Sequence, residues 1–200
     1  MREGKPMGRP RAFDTDAALD AIMQVFWAKG FDGTSLQELV GATGLNKGSL
    51  YAAFGDKRAM YAQALALYDR TQIEGSVRDL TAGGPALKRI DRFLQNAIDD
   101  ASARGCFVCN ASIDHAASDP RARQLVRASL DRLEAALTDA VASLRAKTGD
   151  GPASDGDAMT TARHLMTVYF GLRVLARAGA APRALEDAKD MALRALPAAR

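Results

Sequence analysis

Apolar residues recur three or four positions apart along almost the whole chain, and no stretch alternates apolar with polar as a strand does. The pattern predicts an all-α protein of about nine helices. The first covers 16–29, with Asp14 as N-cap, a stripe of Ala18, Ile22, Val25 and Phe26, and Gly30 as its stop. Short helices follow at 34–43 and 46–54, then a longer one over 56–80 that ends before Gly83-Gly84-Pro85. Further helices are expected at 85–103, 106–117, 120–147, 156–178 and 183–196. Asp119-Pro120 is a strong helix start, and the Gly-, Asp- and Ser-rich stretch 149–157 reads as a loop.

The two short helices carry the most specific pattern. Thr34 and Gln37 read as a T-x-x-Q capping box opening the first of them. Leu36, Leu39 and Val40 give it one apolar face, Thr43-Gly44 closes it, and Leu45 points back to the core across the turn. The second turns Leu50 and Phe54 inward and leaves Lys47, Ser49 and Tyr51 outward. Two short one-faced helices joined at a glycine make a helix-turn-helix. A small, polar outer face lets the second helix approach base edges in a major groove. Lys47 suits guanine acceptors or a phosphate, and the hydroxyls of Ser49 and Tyr51 suit phosphate oxygens. Tyr51 also fits a role packed between helices.

Charge adds one feature. The net charge is only +3, but the first eleven residues hold Arg2, Lys5, Arg9 and Arg11 against Glu3, with Gly and Pro between them. This reads as a flexible basic arm, suited to a phosphate or a minor groove, or as a solvated terminus. No secretory leader or membrane span is expected, and two cysteines make no disulfide framework, so a reduced, cytoplasmic protein is expected. The modest charge disfavours a nonspecific DNA-binding protein. A helical thiol-dependent enzyme using Cys106 or His115 lacks a paired nucleophile and base. C-x-x-C with only His115 and His164 is too thin for zinc, so no metal or other cofactor is expected.

The run Gly44-Leu45-Asn46-Lys47-Gly48-Ser49-Leu50-Tyr51-Ala52-Ala53-Phe54-Gly55-Asp56-Lys57 resembles the recognition-helix signature of the TetR/AcrR family of bacterial transcriptional regulators. Lys29-Gly30-Phe31 and Gly33-Thr34-Ser35 upstream also match. Val40 and Thr43 depart from the alanines usual there. The resemblance implies a basic arm at 1–12, a DNA-binding domain at 13–57, and an effector-binding and dimerisation domain at 58–200. It implies a homodimer on a palindromic double-stranded operator, acting most often as a repressor released by a small-molecule effector. Tyr51, Lys57 and Thr34 or Ser35 would hold phosphates, and Asn46, Lys47, Gly48, Ser49 and Ala52 would face the groove. Arg9 or Arg11 would assist.

Beyond residue 80 the expectations are broader. Leu165, Val168, Leu172, Leu175, Leu185, Ala188, Ala192 and Leu196 form stripes suited to a dimer interface or to intrachain core. Gly105-Cys106-x-x-x-Asn110 resembles a subgroup that includes electrophile and oxidant sensors. Cys106 at a helix start favours a thiolate, and Cys109 on the same face can resolve it, or both are core. Phe93, Phe107, Asn110, Ile113, His115, Met166, Tyr169 and Phe170 are candidates for an effector pocket or for core. An exposed His115 would be silent.

Overall fold

A computed structural model of the chain describes residues 13–99, 104–116, 118–148 and 155–196. Among these residues there are nine helices and no strand. They are α1 (Thr15–Lys29), α2 (Leu36–Thr43), α3 (Lys47–Phe54), α4, α5 (Ala86–Ile98), α6 (Phe107–Ile113), α7 (Pro120–Thr148), α8 (Asp155–Arg177) and α9 (Pro182–Arg194). Helix α4 runs through Lys57–Tyr68, a π-helical turn at Asp69–Ile73, and Glu74–Thr81. None of the described helices is long and apolar enough to cross a membrane.

The helix starts follow from their caps. Asp14 accepts the N–H groups of Asp16 and Ala17 at 3.0 Å each, and Asp119 accepts that of Ala122 at 2.8 Å. One expected cap moves by a residue. The capping box of α2 is Ser35 with Glu38, not Thr34 with Gln37. Thr34 is buried, and its hydroxyl donates to the Gly30 carbonyl at 2.7 Å, so it is turned toward the end of α1 rather than to α2. Lys29 pairs with Glu38 and fixes the alternative.

Helices α1 to α4 close over Ile22, Phe26, Leu39, Leu50 and Met60, all 0 % exposed. Tyr61 of α4 stands edge-on to Phe26 at 5.0 Å, Phe31 at 5.3 Å and Phe107 at 5.5 Å, so the same aromatic cluster reaches α6. Such pairs favour one ring arrangement beyond their area burial. The π-helical turn is gripped by α7, where Ser129 donates to Asp69 at 2.6 Å and Arg132 pairs with the same carboxylate. A π turn widens a helix locally, and a lateral anchor holds it there.

The stripes of α8 and α9 are mainly core of this chain. Leu165, Leu172, Leu185, Ala192 and Leu196 are buried and Val168 is half-buried, leaving Leu175 and Ala188 outside. The large apolar side chains that α8 and α9 expose are Val174, Leu175 and Met191.

Candidate nucleic-acid interface

Gly44 makes the turn between α2 and α3 with φ +66°, the left-handed region that a side-chain carbon disfavours. Thr43 closes α2 from the other side, donating to the Leu39 carbonyl at 2.8 Å and accepting from Leu45 N–H at 3.3 Å. Asn46 then caps α3, its Oδ1 accepting the Ser49 N–H at 2.9 Å. Leu50 and Phe54 anchor the inner face, and Gln63 of α4 donates to the Phe54 carbonyl at 2.8 Å. The helix is therefore held at both ends and along one face.

Its outer face carries Lys47, Gly48, Tyr51 and Ala52, all exposed, with Ser49 half-buried. Tyr51 is 40 % exposed, so it is not packed between helices. The Lys47 ammonium lies 5.9 Å from its ring centroid. An exposed phenol beside a cation is an arrangement that can meet a phosphate and a base edge together. Ser35 is exposed at the start of α2, whereas the inward hydroxyl of Thr34 is committed to Gly30. The Glu38 carboxyl is held down at about 2, first by the Lys29 ammonium and then by Ser35. Arg9 and Arg11 lie outside the described residues.

Lys57 opens α4, after Asp56 caps it through the Ala59 N–H at 2.8 Å. Its ammonium lies 4.5 Å from the centroid of Phe31, in the turn between α1 and α2. His115 was a candidate for an effector pocket or for core. It is 6 % exposed and stacks on Phe31 at 3.6 Å and 13°. Neither contact has a local signal in the sequence, because each joins residues far apart along the chain.

The Gly105-Cys106-x-x-x-Asn110 segment has a clear geometry. Gly105 has φ +69°, Cys106 is the N-cap of α6, and Asn110 folds back to donate to the Arg104 carbonyl at 2.9 Å. Arg177 donates to that carbonyl at 3.2 Å, and Trp27 of α1 donates to the Gly105 carbonyl at 3.0 Å. The Arg104 guanidinium lies 4.0 Å from the Trp27 ring centroid. Cys106 is 1 % exposed and Cys109 is half-buried, so Cys109 is the more open of the two. Burial pushes the Cys109 thiol up, a nearby Cys106 adds to this, and Arg173 and Arg177 oppose it.

The expected effector-pocket residues do not share one cavity. Phe93 and Phe107 are 1 % exposed core rings, Phe93 stacked on Tyr169 at 4.1 Å. Met166 and Phe170 line a groove of about 340 Å³ with Cys109, Leu130 and Glu134. Tyr169 lines a separate cleft of about 260 Å³ with Trp27, Tyr68 and Gln72. Asn110 and Ile113 border a pocket of about 190 Å³ that both cysteines reach.

Comparison with known proteins gives this geometry a context. The profile of "Bacterial regulatory proteins, tetR family" matches residues 18–64. The uncharacterised HTH-type transcriptional regulator YezE of Bacillus subtilis (strain 168) is 30% identical over 195 residues, covering 95% of this chain and 100% of that one. The HTH-type transcriptional repressor BdcR of Escherichia coli (strain K12) is 30% identical over 149 residues, 70% of this chain and 72% of that one. A cysteine mutant of the TetR family transcriptional regulator CifR, solved with 26bp operator DNA, has a TM-score of 0.82 at 30% identity, covering 95% of this chain and 100% of that one. With a relative matched over its full length, and the helix-turn-helix inside the matched profile, the chain belongs to the TetR family of bacterial regulatory proteins.

Proposed function

We propose that this chain is a ligand-responsive transcriptional repressor that binds a palindromic operator as a homodimer. The observation that carries the reading is the outer face of α3, where Lys47, Gly48, Tyr51 and Ala52 are exposed while Leu50 and Phe54 lock the opposite face into core. Residues 13–57 form the DNA-binding unit, with Asn46, Lys47, Gly48, Ser49 and Ala52 toward the groove. Ser35, Tyr51 and Lys57 hold phosphates. Asn46 acts mainly by capping α3, and Thr34 by bracing the turn. Arg9 and Arg11 extend the contact from the basic arm.

Residues 58–200 form the effector-binding and dimerisation unit. Exposed Val174, Leu175 and Met191 on α8 and α9 support pairing of two copies there. A dimer sets two recognition helices about 34 Å apart, one turn of DNA. The release signal is a small organic molecule or a thiol-reactive electrophile or oxidant. Both free thiols border one small pocket, beside the loop that Trp27 ties to α1. An effector acts by differential affinity for the DNA-competent and DNA-incompetent arrangements. Such a regulator works in the cytoplasm.

The test is a gel-shift and footprint on DNA upstream of the chain's own gene. Wild type is expected to protect a palindrome. Lys47→Ala and Tyr51→Ala proteins that remain folded are expected to lose it, and undiminished binding by both sinks the assignment.

A further inference from the structure

Two consecutive residues of the segment between α6 and α7 hold Phe31 by two different means. Asp114 Oδ2 accepts the Phe31 N–H at 2.6 Å. His115 lies parallel to the Phe31 ring at 3.6 Å between centroids. The segment is pressed directly against the α1–α2 turn, since a side-chain carbon added at Gly30 would meet Asp114 Oδ2 at 2.6 Å. The Lys57 ammonium stands 4.5 Å from the same ring. Phe26 also lies parallel to Phe31, at 6.3 Å between centroids. Lys57, Phe31 and His115 thus meet at one ring, across α4, the α1–α2 turn and the α6–α7 segment.

The imidazole is itself braced. Tyr61 meets it edge-on at 5.3 Å. Its Nε2 is 3.5 Å from Asp119 Oδ2, within ion-pair range but without hydrogen-bond alignment. Arg58 shares that carboxylate at 4.0 Å. The plane of the imidazole is thus fixed by packing rather than by a hydrogen bond at Nε2.

We infer that His115 is a positioning residue for DNA binding, which through Phe31 sets where the Lys57 ammonium is presented to a phosphate. The inference rests on the operator-binding reading above and adds to it a residue outside the helix-turn-helix. Cation and ring attract through the ring's quadrupole, so a ring that tilts carries its cation with it. Without the imidazole, Phe31 keeps Tyr61 and Phe26 but loses its nearest ring contact, and the long Lys57 side chain regains rotamers.

The test has a DNA-free arm and a DNA arm, both on the full chain. In lysine-labelled protein, the Lys57 Hε resonance, assigned with Lys57→Arg, is expected to be shifted upfield by the Phe31 ring current. His115→Ala is expected to abolish most of that shift and His115→Phe, which keeps a stacking ring, to retain it. On operator DNA, His115→Ala and Lys57→Ala are each expected to weaken binding several-fold and to reduce the salt slope by about one, as for a lost phosphate contact. The double variant is expected to be no weaker than Lys57→Ala, and His115→Phe to bind like wild type. An unchanged Lys57 resonance in His115→Ala, additive losses in the double variant, or weakened binding at unchanged salt slope each overturn the inference. A wild-type protein that shows the ring-current shift but does not bind operator overturns the operator reading and this role for the stack with it.

Discussion

Trp27 of α1 donates its indole N–H to the main-chain carbonyl of Gly105 at 3.0 Å, joining residues 78 apart in sequence. The helix that braces the recognition module is thus hydrogen-bonded to the loop that opens α6 at Cys106. Trp27→Phe keeps an aromatic ring there and removes the donor. A lost hydrogen bond of this kind costs about 1 kcal/mol, which urea denaturation would read. Operator affinity is expected to stay near wild type while effector-induced release weakens, measured as the shift in half-maximal release.

Leu50 is 0 % exposed under α3. Leu50→Ala is expected to cost about 2–5 kcal/mol through lost contacts and a residual cavity. The recognition helix loses its anchor, so operator binding falls with stability, and a thermal melt beside a gel-shift separates this from the surface variants.

Lys47 and Tyr51 are exposed, and truncating them removes little packing. Lys47→Ala and Tyr51→Ala are expected to change folding stability by less than about 0.5 kcal/mol. Lys47→Ala is expected to lose about 1–3 kcal/mol of operator binding if it reads a base, with relaxed specificity at that position. Binding to operator and scrambled DNA at one salt concentration distinguishes a base contact from a phosphate contact.

Glu38 titrates at about 2 instead of 4.5, held down first by Lys29 and then by Ser35. A carboxyl lowered by folding adds stability above its unfolded value and loses it as pH falls through the folded one. The contribution of this pair therefore fades between pH 4.5 and about 2. Glu38→Gln is expected to flatten that part of the stability-versus-pH curve while leaving a neutral cap on α2. An acid limb identical to wild type argues against the pair. Ser35→Ala removes the other half of the box and is expected to cost about 1 kcal/mol at neutral pH.

Cys106 is 1 % exposed and Cys109 half-buried. A thiol reagent added to native protein at neutral pH is expected to label Cys109 slowly and Cys106 only after unfolding. Because burial raises the Cys109 thiol, its rate should keep climbing with pH above the ordinary thiol value of 9.0. Cys109→Ser is expected to abolish the native reaction. Rapid native labelling that survives Cys109→Ser but not Cys106→Ser would reverse this order.

Much of the fold was legible because its signals are local. Asp14 and Asp119 cap helices within three residues of themselves. Leu39, Leu50 and Phe54 could be placed inward from helical spacing alone. The start of α2 was less determinate, because Thr34-x-x-Gln37 and Ser35-x-x-Glu38 overlap. The choice fell to Ser35 when Gly30 took the Thr34 hydroxyl and Lys29 took Glu38. The expected effector residues divided among several cavities for a related reason. Helical spacing assigns a side chain to a face, but it does not say which neighbouring helix covers that face.

The sequence by itself determined that the chain is helical, that α2 and α3 form a helix-turn-helix, and that α3 turns Lys47 and Tyr51 outward, while the ends of α5 and α6 and the π-helical turn were left to packing. Periodicity, capping and glycine geometry act over a few residues and are written in order along the chain. Only the tertiary structure decided that His115 is buried against Phe31, that Cys109 is more open than Cys106, and that Trp27 reaches Gly105. Those outcomes depend on which surfaces meet after the chain has folded back. Asp114 and Phe31 are 83 residues apart, and only the packing of α6 against α4 and the α1–α2 turn brings them within a hydrogen bond.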